Sequence, residues 1–93
     1  MSQINREQKK QLENEIRKIK NHIGQAESKI SRLEKEIAIL DEQLLDPDFY
    51  KSPESNEMLT SYNSLKQELE TEMEKWGSLT EQLEPTEAKM REL

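Results

Sequence analysis

Ninety-three residues, 31% of them apolar and 37% charged, limit the chain to one domain and supply too little apolar surface for a sizeable globular core. The absence of cysteine excludes a disulfide framework and any thiolate metal site. The formal net charge of −6 conceals a division: residues 1–35 hold nine Lys/Arg against five Glu, whereas residues 36–93 hold five against fifteen Asp/Glu. Two glycines, three prolines and one phenylalanine suit long helices and fit a sheet poorly. No apolar run is long enough for a signal peptide or a membrane span, so the expectation is a soluble, cytoplasmic chain without a membrane partner.

Residues 1–11 carry almost no apolar stripe, and Lys9 stands where a seam would hold Ile or Leu, so the first helix is expected to begin near Asn5. From there to Leu44 the apolar residues fall at Leu12, Ile16, Ile19, Ile23, Ala26, Ile30, Leu33, Ile37, Leu40 and Leu44, in steps that alternate four and three. A repeat averaging 3.5 residues keeps one narrow stripe facing a partner along a left-handed supercoil. With Ile16 at heptad position a, Ile23, Ile30 and Ile37 also fall at a, and Ile19, Ala26, Leu33 and Leu40 fall at d.

Asp46-Pro47 ends this helix near residue 45, because a proline ring disfavours helical geometry in the residue before it. The loop, residues 46–53, contains two restart signals: Asp46 capping a turn with Pro47 at its first position, and Ser52-Pro53-Glu54 opening the second helix. Phe49 and Tyr50 lie between them, and at least one ring is expected to fold over the end of the seam. The second helix, about 54–84, repeats apolar residues at Met58, Tyr62, Leu65, Leu69, Met73, Trp76, Leu79 and Leu83, which reads as a coil with a local stutter. Pro85 is expected to break it, leaving a short turn or helix over 85–93.

These elements predict an all-α fold, an antiparallel two-helix coiled-coil hairpin. Pairing through a short loop matches residues whose numbers add to about 102: Leu44 with Met58, Leu40 with Tyr62, Ile37 with Leu65, Leu33 with Leu69, Ile23 with Leu79 and Ile19 with Leu83. It also sets Trp76, the bulkiest residue of one stripe, against Ala26, the smallest of the other. Both ends then lie at the open end, which suits an arm joined to another domain.

No catalytic constellation is present. His22 is the only histidine and is expected to be solvated on a flank, and Gly24 and Gly77 lie far apart within helical patterns, so no glycine-rich phosphate loop exists. The remaining chemistry is cationic. Lys10, Arg17, Lys18 and Arg32 fall on outward b and c positions, Arg6, Lys20 and Lys29 flank the seam, and Lys9 extends the row at its start. Such a row can follow a phosphate backbone with sequence-tolerant, salt-sensitive affinity, and it lacks the aromatics that base stacking requires. The bland alternative is that the basic helix only balances its acidic partner, giving a structural or protein-binding coiled coil with self-association open.

The run LEKEIAILDEQLLDPDFYKSPESNEMLTSYNSLKQELETEMEKWGSLTEQLE, residues 33–84, resembles the C-terminal coiled-coil domain of bacterial ABC-F ATPases, soluble ATP-binding cassette proteins of translation. The points of match are Asp46, Pro47, Phe49, Tyr50 and Pro53 in the loop, then Tyr62 and Leu65, then the ending around Trp76. The opening REQKKQLENEIRKIK is similar to the segment after the second ATPase domain in that family. The resemblance implies a hairpin hung from tandem ATPase domains that hold ATP and Mg, with no cofactor in the hairpin. It also implies ribosome association and, in some members, nucleic-acid binding. The acidic balance departs from that pattern and bears more on DNA than on ribosome contact. Similar loops occur in the C-terminal arm of valyl-tRNA synthetase and the helical first domain of peptide chain release factors, which usually lack the Trp76 ending.

Overall fold

The computed structural model describes residues 2–93, with side chains from Asn5 onward. Helix α1 spans Ser2–Leu44, a five-residue 3-10 helix spans Pro47–Lys51, and helix α2 spans Ser55–Arg91. The fold is an all-α, antiparallel helical hairpin. Its residues gather into two compact units: one pairs the part of α1 up to Glu27 with Glu74–Leu93, and the other, Ser28–Met73, contains the turn.

Within the turn unit, Leu33 is fully buried and Ile37 nearly so, and Ile30, Leu40 and Leu44 are half-buried on the same stripe. They face half-buried Met58, Tyr62, Leu65 and Leu69. The turn forms as its residues dictate. Asp46 caps the 3-10 helix by accepting a hydrogen bond from the Asp48 amide at 3.0 Å, and Pro47 follows at the first position. The Ser52 hydroxyl accepts from the Glu54 amide at 3.3 Å and donates to the Glu54 carboxylate at 2.8 Å. Phe49 is the ring that folds inward, 8% exposed, and Tyr50 stacks edge-on against it at 5.2 Å while remaining in solvent.

Two cross-helix contacts fix the alignment in this unit. Tyr62 Oη donates to Asp41 Oδ1 at 2.6 Å, and Lys29 Nζ lies 3.5 Å from Glu72 Oε2. Their residue numbers add to 103 and 101, either side of the expected 102. In the other unit Ala26 is buried at 1% exposure, and half-buried Leu12, Ile16, Ile19 and Ile23 share the interior with Leu79, Leu83, Thr86, Ala88 and Met90.

Four expectations are corrected. The helix begins at Ser2, ahead of Asn5, because Arg, Glu, Gln and Lys across residues 3–11 propagate a helix well without an apolar stripe. Helix α2 runs through Pro85 to Arg91. Pro85 is exposed, so the Glu81 carbonyl that loses its amide partner faces water, and the seam behind it continues through Thr86 and Met90. There is no stutter. The stripe of α2 passes through Glu72, 8% exposed, and leaves Met73 52% exposed, so its steps of four and three continue unbroken from Met58 to Met90. Finally, Trp76 reaches its expected seam position without being enclosed, since 40% of its surface remains in solvent. Two helices 8–10 Å apart bury one stripe each and provide no third layer to cover an indole.

Candidate nucleic-acid interface

The cationic residues of α1 divide between the two units. Arg6, Lys9, Lys10, Arg17, Lys18 and Lys20 belong to the first, and all six are exposed. Among the described residues none of them forms an ion pair. The Arg17 guanidinium donates to the Asn14 side chain, one turn back.

Lys29 and Arg32 belong to the turn unit, where they meet a different environment. The Lys29 ammonium is paired with Glu72, so its charge is already compensated. Arg32 is exposed, but this unit holds five Lys/Arg against eleven Asp/Glu, a net of −6. The first unit holds nine against nine and is neutral overall. A phosphate backbone is therefore opposed by the turn unit and tolerated by the other.

The structure adds a cation that sequence reasoning missed. Arg91 lines a shallow cleft together with Lys9 and Lys20, over a floor of Ile16 and Met90 and beside Glu13 and Glu87. It was hidden because α2 was expected to end at Pro85; continuation of the amphipathic repeat through Thr86 and Met90 is the signal that finds it. One Arg91 nitrogen donates to Glu84 Oε1 at 3.0 Å. On another cleft of the same unit Lys18 stands among Glu15, Glu81, Ile19 and Pro85.

His22 is exposed on α1. Among the described residues no group of three or more His, Cys, Asp or Glu is placed to hold a metal ion. No described helix is long and apolar enough to cross a membrane.

Among the described residues the fold is an all-α helical hairpin whose charged groups, Glu72 apart, lie outside its interior. The chain belongs to the family of the ABC transporter C-terminal domain, whose model matches residues 4–81, and is a C-terminal arm of an ABC-type protein. No curated protein and no solved structure matches it.

Proposed function

We propose that this hairpin is the C-terminal arm of an ABC-F-like ATPase and that it contacts the phosphate backbone of ribosomal RNA or DNA through the first half of α1. The observation that supports this reading is the set of six exposed cations from Arg6 to Lys20, without ion-pair partners among the described residues, on a unit with no net negative charge. Arg91 joins Lys9 and Lys20 at this cleft from the other helix, although its charge is partly compensated by its ion pair with Glu84, so Lys9 and Lys20 carry the cleft's uncompensated charge. Contacts of this kind position a nucleic acid and carry no base readout. The ABC-F assignment rests on the loop Asp46 to Pro53 and the ending around Trp76, within the family match. ATP and Mg belong to the ATPase domains of the parent protein.

A salt titration against labelled duplex DNA and labelled ribosomal RNA tests the contact. Binding is expected at low salt, with log K falling linearly as log salt rises. Arg17→Glu and Lys18→Glu should weaken binding uniformly across sequences and lower the slope by about 1 each. Arg32→Glu, in the acidic unit, should change it less. No binding at low salt, or indifference to Arg17→Glu and Lys18→Glu, leaves a structural or protein-binding coiled coil. The relative strength of the two probes decides between RNA and DNA.

A further inference from the structure

We infer that Lys29 and Glu72 form a register lock, a single ion pair set into the seam of the turn unit that selects one heptad alignment of α1 against α2. Glu72 occupies a seam position at 8% exposure, its Oε2 lies 3.5 Å from Lys29 Nζ, and the two side chains are 10% and 44% exposed. The lysine keeps its stem against the seam edge and its ammonium within reach of water. The carboxylate has no such access.

The need for a lock follows from the two stripes. Every seam position of α1 from Leu12 to Leu44 is apolar, and between Met58 and Leu83 Glu72 is the only charged seam residue of α2. Apolar stripes with a strict heptad repeat decide which faces meet but barely resist sliding by seven residues, since apolar again meets apolar about 10 Å further on. A buried carboxylate resists strongly, because it must find a cation wherever it lands. If α2 slides so that the turn lengthens by one heptad, the α1 position beside Glu72 passes from Lys29 to Glu36, and attraction becomes repulsion. The opposite slide sets Glu72 beside His22 in place of Lys29, and if α1 stays paired to Leu44 it also removes seven residues from a turn occupied by the 3-10 helix and buried Phe49. The pair therefore disfavours a slip in either direction, because only the observed alignment sets a lysine or arginine beside Glu72.

Nitroxide labels read the register directly, and the chain has no cysteine of its own. Ser28 and Ser64, both exposed in the turn unit and offset along the axis in the observed alignment because their numbers fall short of the paired sum of 102, would each be replaced by cysteine in the 93-residue chain. The parent pair should give one narrow distance. Glu72→Lys repels Lys29 and attracts Glu36, so it should populate a second distance, displaced by about 10 Å along the axis, and adding Glu36→Lys should remove it. Glu72→Leu, which any coiled coil accepts, should melt at a higher temperature yet show both distances. A single parental distance in Glu72→Leu, or in a folded Glu72→Lys, overturns the lock and leaves the register to the turn and the Tyr62–Asp41 hydrogen bond.

Discussion

Gly24 and Gly77 sit inside helices with nothing within 4 Å of where a Cβ would stand. Neither has a positive φ, so no backbone requirement holds glycine there. Each therefore carries only the entropic cost of glycine in a helix interior, about 0.5–1 kcal/mol relative to alanine. Gly24→Ala should raise the melting temperature by a few degrees, on the scale of about 4–8 °C per kcal/mol for a domain of this size. Calorimetry showing no gain would mean that the added methyl meets something the open space does not reveal. Ala26 is the reverse case. At 1% exposure it has no room, and Ala26→Leu should destabilise by about 1–3 kcal/mol through overpacking, read as a lower urea midpoint. The tightness of Ala26 was legible from its place among Ile and Leu in the heptads, whereas the half-open Trp76 was not. Periodicity says which side of a helix a residue is on and nothing about how many layers lie over it.

At the scale of the element, α2 carries the lesson, because its alphabet misled where its spacing did not. Hydrophobicity favours Met73 for the seam and charge disfavours Glu72, and that single exchange creates the appearance of a stutter. The strict step of three after Leu69 lands on Glu72, and a cation flanking the facing stripe, Lys29, makes the burial tolerable. The boundaries of α1 and the cap at Asp46 were readable because they depend on local chemistry alone. The helix passes Pro85 because a proline ends a helix only where the lost hydrogen bond and ring clash outweigh the packing that continues beyond it. Here Thr86, Ala88 and Met90 supply that packing. Pro85→Ala should restore the amide partner of Glu81 and stabilise the chain by about 1–3 kcal/mol, up to the intrinsic penalty of proline in a helix interior. An unchanged urea midpoint would show that the helix around Pro85 has already relaxed to accommodate the ring.

For the molecule as a whole, charge counted along the chain is a poor guide to charge gathered by folding. Residues 1–27 carry six Lys/Arg and four Glu, a net of +2, and residues 74–93 carry three against five, a net of −2. Pairing cancels them, and the entire −6 falls on Ser28–Met73. That division could not be read without the pairing, and it turns a general statement about an acidic chain into one about a particular unit. Excess carboxylates in a compact unit repel one another, and salt relieves that repulsion as the Debye length shrinks from about 30 Å at 0.01 M to about 8 Å at 0.15 M. With Glu72 buried, the Lys29–Glu72 attraction is screened less than the fully exposed repulsions, and the repulsions are more numerous, so the net effect of salt on the turn unit is stabilising. Amide hydrogen exchange resolves stability region by region. Over this salt range, protection of the amides of Leu33, Ile37, Leu65 and Leu69 should rise, while that of Ile16, Ile19, Leu79 and Leu83 stays nearly level. A uniform rise in both sets would mean that salt acts on the hydrophobic seam in general, and a fall in the turn set would mean that its surface ion pairs outweigh its excess of acid.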